Sequence, residues 1–144
     1  MKKTILIADD DKEEIEELRI VLNQYYNVIS FPDGFRAFQR IKEGGIDGVV
    51  LNWQMTIYNQ NELKLSTEDE RYAIDPSWLS EQYYGDKVSV KLREQGFEGP
   101  IILYSLIARR FKTELEPYDV YCYEIGEEEY LGKIVEYFQD KLKQ

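Results

Sequence analysis

The stretch Thr4-Ile5-Leu6-Ile7-Ala8-Asp9-Asp10-Asp11 decides how the rest of the chain is read. A short apolar, β-branched run reads as a buried strand. Three carboxylates follow at once, and Ile15, Leu18, Leu22 and Tyr25 then recur at helical spacing across Lys12 to Gln24. Acids at such a junction suit a helix N-terminus, where free N–H groups and the backbone dipole favour negative charge. The unit of strand, turn and helix then repeats. Val28 to Phe31 forms a second strand, and Asp33-Gly34 opens a helical stripe of Phe35, Phe38 and Ile41 that Gly44-Gly45 closes. Gly48-Val49-Val50-Leu51 is the third strand. Val88 and Leu92 mark a third helix ending near Gly96, and Pro100 opens the strand Ile101 to Tyr104. Phe111 and Leu115 suggest a weaker fourth helix. Asp119 to Tyr123 forms the fifth strand, and Leu131, Ile134 or Val135, Phe138 and Leu142 define the last helix.

Five buried strands alternating with five helices predict an α/β fold with a parallel sheet covered on both faces. Right-handed crossovers then favour the doubly wound, flavodoxin-like strand order 2-1-3-4-5. With no internal repeat and no Pro- or Ser-rich linker, residues 1–144 read as one domain. One segment breaks the rhythm. Thr56 to Gly85, between the third strand and the third helix, is far longer than a usual βα loop. Tyr58, Tyr72, Trp78, Tyr83 and Tyr84 make it too aromatic for a disordered linker. It reads as a packed surface insertion, or as a lid or docking surface.

Composition excludes several functions. Among 144 residues, 18 Lys and Arg face 28 Asp and Glu, for a net charge of −10. Such a chain repels phosphate backbones, so direct nucleic-acid binding and anionic membranes are not expected. Histidine is absent, which removes His-based acid–base chemistry and His metal ligands. The single cysteine, Cys122, cannot form an internal disulfide and reads as a small apolar core residue. The apolar stretch Ile5 to Ala8 is too short for a signal peptide or a membrane span, and a reducing cytoplasm fits.

In an open α/β sheet the ligand crevice lies beyond the carboxyl ends of the strands. This chain puts Asp9 and Asp10 there from strand one, Asn52 from strand three, Ser105 from strand four and Glu124 from strand five. A flavin or nucleotide site would need a Gly/Ser/Thr-rich first loop to offer N–H groups to phosphate. The loop Asp9-Asp10-Asp11-Lys12-Glu13-Glu14 would repel phosphate instead.

In order along the chain, these residues resemble the receiver domain of two-component response regulators, the CheY-like version of this fold. Thr4 to Asp11 looks like the family's first strand with its acidic pair. Gly48 to Asn52, followed by Trp53-Gln54-Met55, looks like the third strand and its phosphoacceptor position. Pro100 to Ser105 is similar to the fourth strand with its switch hydroxyl, and Asp119 to Glu124 to the fifth, with Tyr121 at the aromatic switch position. The resemblance covers the chain except roughly Thr56 to Tyr84.

The departures from that pattern bear on function. By resemblance, an aspartate at the position of Asn52 would attack the phosphoryl donor; an amide lacks that nucleophile. A lysine at the position of Glu124 would pair with the phosphorylated side chain, and glutamate reverses its charge. Ile125 replaces the proline that usually follows that lysine, and the loop proline after the phosphoacceptor is missing too. The resemblance therefore implies a degenerate, pseudo-receiver variant without phosphotransfer. By resemblance Asp9 and Asp10 would ligate magnesium, Asp10 directly; without a third carboxylate at Asn52 they read rather as caps of helix one. Local charge leaves room for a weakly held Mg2+ or Ca2+, with Glu124 as a replacement oxygen ligand. Ser105 either keeps a switch hydroxyl or is a buried serine bonded to backbone.

Between Lys112 and Lys133 there is no basic residue, whereas Glu114, Glu116, Asp119, Glu124, Glu127, Glu128 and Glu129 alternate with Tyr118, Tyr121, Tyr123 and Tyr130. Acids at a helix start need no function. Acid mixed with exposed tyrosine also suits docking of a basic protein partner, or of a second copy. The expectation is a phosphorylation-independent, non-enzymatic regulatory module acting by protein–protein interaction. The alternatives are a single-domain regulator phosphorylated on a non-standard acceptor, and a weak magnesium-binding phosphotransfer or hydrolase domain.

Overall fold

In the computed structural model, which describes residues 2–53, 85–126 and 129–143, the chain forms β1 (Thr4–Ala8), α1 (Lys12–Leu22), β2 (Asn27–Phe31), α2 (Gly34–Lys42) and β3 (Gly48–Asn52). After the insertion come α3 (Gly85–Glu94), β4 (Ile101–Ser105), α4 (Lys112–Leu115), β5 (Val120–Glu124) and α5 (Tyr130–Lys141). The five strands pair in parallel in the order β2-β1-β3-β4-β5, as the alternation predicts. Strand residues alternate between faces. Leu6, Val49, Leu51, Ile101 and Leu103 pack with Phe35, Phe38, Val88 and Leu92 beneath α2 and α3. Ile5, Ile7, Val50, Ile102 and Tyr104 pack with Leu18, Leu22, Ile134 and Phe138 beneath α1 and α5.

Three expectations change in detail. The helical spacing in α1 stops at Leu22, because the chain turns there; Tyr25 is 44% exposed, and Tyr26 takes the core position. In α5, Ile134 is the buried residue of the two candidates, and Val135 packs at the edge. The weak fourth helix is a 3₁₀ turn at Ala108–Phe111, the short α4, and a second 3₁₀ turn at Glu116–Tyr118. Only Ala108 and Leu115 are buried along it, too sparse a stripe to sustain a long helix.

The inserted segment falls largely outside the described residues, and its expected packing or lid role with it. Trp53 before it and Gly85 at its end are described. Gly85, which belongs to α3, donates its N–H to the Trp53 carbonyl at 2.8 Å. A side chain at Gly85 would collide with the Asn52 carbonyl oxygen and come within 2.7 Å of Leu103 Cδ1. Close approach of α3 to the end of β3 thus requires glycine. The chain leaves and re-enters the sheet at one point.

Candidate functional site

The carboxyl ends of the strands bring the sequence-predicted residues together in two hydrogen-bonded groups, one on each face of the sheet. The first is built around Asp9, which is fully buried one residue beyond β1. Its Oδ1 accepts from the Asp11 N–H at 2.9 Å and from Asn52 Nδ2 at 3.0 Å. Its Oδ2 accepts from the Tyr104 hydroxyl. Asn52 sits beside Tyr104 in the β3–β4 register, and its Nδ2 also reaches Glu14 Oε2 at 3.1 Å. One amide therefore bridges two carboxyl groups from β1 and α1. The helix cap is Asp11, whose carboxylate accepts from the Glu13 and Glu14 N–H groups, so capping and the buried cluster are separate tasks of neighbouring acids. Asp10 is exposed.

Glu14 and Tyr104 join this site without having been singled out in the sequence. For Tyr104 a signal existed: a tyrosine inside an otherwise aliphatic buried strand needs a partner for its hydroxyl. Burial next to Asp9 keeps that hydroxyl well above its ordinary range, so Tyr104 remains a donor. Glu14 had no such signal, since acids in a first helical turn are common. Its carboxyl is raised to about 8, first by burial, then by its hydrogen bond to Asp9 and by the charges of Asp9, Asp11 and Asp10. At neutral pH Glu14 is therefore protonated, which lets two carboxyl groups share one small space.

That arrangement makes stability depend on pH. A carboxyl raised on folding stabilises the fold fully below its unfolded value near 4.5, and this contribution is lost as pH rises to about 8. Glu14→Gln stays neutral throughout. The variant should match the wild type at acidic pH and exceed it above pH 8 by on the order of 1 kcal/mol, allowing for solvent screening of a half-exposed side chain. Urea midpoints across pH 4 to 9 check this; parallel curves for the two proteins would refute it.

The second group lies on the α4 side. Ser105 is buried, and its Oγ accepts from the Ile107 N–H at 3.1 Å, a backbone-bonded serine closing a tight turn. Glu124 stands opposite Ser105 in the β4–β5 register. Its Oε1 accepts from the Arg109 N–H at 3.3 Å, and its Oε2 lies 4.0 Å from Arg109 Nε. These contacts turn Glu124 toward the β4–α4 turn.

Of the proposed docking residues, Tyr121 is 42% exposed and packs against Tyr123 and Tyr137 at ring-centroid distances of 4.4 and 4.7 Å. Tyr118 is half-buried and Glu129 exposed. Tyr123 is a correction: at 7% exposure it belongs to the core, because its position on β5 faces α5. Tyr130 is half-buried, and its hydroxyl donates to Glu17 Oε2 at 3.3 Å, toward α1. Glu127 and Glu128 lie outside the described residues. Cys122 is half-buried, and burial raises its thiol to about 11, an inert side chain at neutral pH.

Compared with protein-family models and with curated proteins, the sequence matches none. Its fold is nonetheless that of solved bacterial receiver structures. The chain is similar to the Francisella response regulator 1452 receiver domain, with 17% identity and a TM-score of 0.71 over 98% of this chain and 97% of that one. A response regulator receiver protein from Sinorhizobium medicae gives 19% identity and a TM-score of 0.70 over 98% and 94%. The chemotaxis protein CheY4 of Vibrio cholerae gives 13% and 0.68 over 98% and 99%. At these identities the likeness is one of fold. Among the described residues, no group of three or more acidic or cysteine side chains is arranged to hold a metal ion, and no helix is long and apolar enough to cross a membrane.

Proposed function

We propose that the chain is a receiver-like regulatory module that acts through protein contacts and takes no phosphoryl group at Asn52. The observation that carries this reading is the Asn52 amide, which donates to both Asp9 and Glu14. A neutral amide cannot form an acyl phosphate, and here it serves as internal mortar between two acids. Glu124, where a phosphoryl group would need a cation, adds a second negative side chain and is turned to Arg109.

In this reading the buried Asp9 is an unfavourable ligand for a divalent cation. Both oxygens of Asp9 already accept hydrogen bonds from protein donors, and the protonated Glu14 supplies no anionic oxygen. A cation at Asp9 would compete with the donors Asn52, Asp11 and Tyr104 for the carboxylate oxygens. In this reading the pocket is a structural remnant, and the exposed surfaces carry the function. The favoured partner is a protein with a basic surface, received by Tyr121, Tyr118 and the exposed acids Glu114, Glu116 and Glu129. Exposed charge would steer the encounter, and the tyrosines would supply the lasting contact area.

The test is incubation with acetyl phosphate and magnesium, followed by intact mass. The expected result is an unchanged mass, with beryllofluoride leaving the amide spectrum unmoved. Stoichiometric acid-labile phosphate would overturn the reading in favour of a non-standard acceptor.

A further inference from the structure

The β4–α4 turn lacks what a helical start usually has. Residue Ile107 stands at the cap of the 3₁₀ turn Ala108–Phe111 and offers no side-chain acceptor. The free N–H groups at such a start need a partner. Glu124 supplies one across space: its carboxylate, from the end of β5, accepts from the Arg109 N–H. The same carboxylate faces the Arg109 guanidinium. On the other side of the turn, Ser105 Oγ holds the Ile107 N–H, and the Ser105 carbonyl accepts from the Ile125 N–H at 2.9 Å. Ala108 is fully buried beneath it. Leu106, in contrast, is 74% exposed, a large apolar side chain held outward by a turn that is fastened on both sides.

We propose that Glu124 is a built-in latch: its carboxylate caps the β4–α4 turn from β5 and so fixes residues 106–111, and the exposed Leu106 with them, in one conformation without any bound group. This rests on the reading above that the chain works without phosphorylation, and it adds how the surface is set. Negative charge suits the role, because it meets both a helical N-terminus and a guanidinium. A lysine there could do neither.

Site-resolved amide hydrogen exchange tests the latch on the full chain, with wild type, Glu124→Ala, Glu124→Gln and Arg109→Ala. Loss of a cap commonly amounts to a factor of roughly five to ten in the local opening equilibrium. The Arg109 amide and its neighbours to Lys112 should therefore exchange about five- to tenfold faster in Glu124→Ala. Glu124→Gln, which keeps an acceptor oxygen, should show a smaller rise. Arg109→Ala keeps the N–H and should retain most of the protection. Amides of β1 and β3 report whether the variants remain folded. Unchanged exchange at 109–112 in both Glu124 variants overturns the latch, as does equal loss in Arg109→Ala, which would leave only a surface ion pair. Phosphate incorporation by the wild type is read separately by mass and would overturn the functional reading while leaving the latch measurement intact.

Discussion

Asn52→Asp is expected to destabilise the domain by on the order of 3 kcal/mol at pH 8 without divalent ions, and to make its stability depend on them. The wild-type amide gives hydrogen bonds to Asp9 and Glu14. Aspartate is nearly the same size but can donate to neither, so two acceptors lose a donor and a third carboxyl group is added beside them. Removing one partner from a buried charged contact typically costs about 3–5 kcal/mol, and water reaching the half-exposed Glu14 brings the figure to the lower end. Raising the pH sharpens the effect, because Glu14 ionises near 8. Millimolar Ca2+ or Mg2+ should then recover part of the loss, since clustered carboxylate oxygens are what hard cations bind. Asn52→Ala is the control. It loses the same hydrogen bonds without adding charge, so it should be destabilised and indifferent to metal. Urea unfolding of the three proteins with and without Ca2+ decides the matter; metal-dependent stability in the wild type would contradict the closed pocket.

The second large effect is expected at Arg93, far from the acidic cluster. Its guanidinium donates to four backbone carbonyls: Tyr118 at 2.7 Å, Phe97 at 2.8 Å, Gly99 at 2.7 Å and Asp119 at 2.9 Å. These belong to the loop after α3 and the turn before β5, where Asp119 has a left-handed backbone with φ of 54°. One side chain thus ties two irregular segments to α3. Partial burial lowers its affinity for a proton, and a guanidinium keeps its charge in proteins. Arg93→Ala should cost about 3 kcal/mol, less than four separate charged hydrogen bonds because water can reach some of the carbonyls. Arg93→Lys should recover less than half of that, since an ammonium cannot span the same four acceptors with a planar fork. Urea denaturation measures both. A loss below about 0.5 kcal/mol in Arg93→Ala would mean that the loops hold themselves.

The contrast between Arg93 and Asn52 illustrates what sequence can convey. Periodic apolar residues such as Leu18, Leu22, Phe138 and Leu142 report burial directly, because one face of a helix must meet a sheet. Strand order followed from the alternation and from the handedness of crossovers. The identities of Asp9 and Asn52 were legible because strand ends of this fold converge. Their bonding was not. Nothing in the spacing of Glu14 distinguishes an acid serving the helix start from one hydrogen-bonded to Asp9. Nor does Glu124 announce that it faces the α4 side, since the strand's last residue could serve either face. Arg93 was invisible for a different reason: its partners are carbonyls, which every residue carries. Tyr25 was placed inside because periodicity was carried past the point where the helix stops.

The junction at Trp53 and Gly85 has a consequence for how this chain can vary. The two ends meet through a direct backbone hydrogen bond, so residues 54–84 form a chain segment whose ends are pinned together at Trp53 and Gly85. The entropy of closing such a segment grows with the logarithm of its length, so going from a loop of four residues to about thirty costs roughly 2 kcal/mol. That is a modest penalty for length alone. On entropic grounds, then, the length of this segment is cheap to change as long as its two ends still meet. The constraint falls on two points: the glycine that lets α3 approach β3, and the tryptophan carbonyl that receives it.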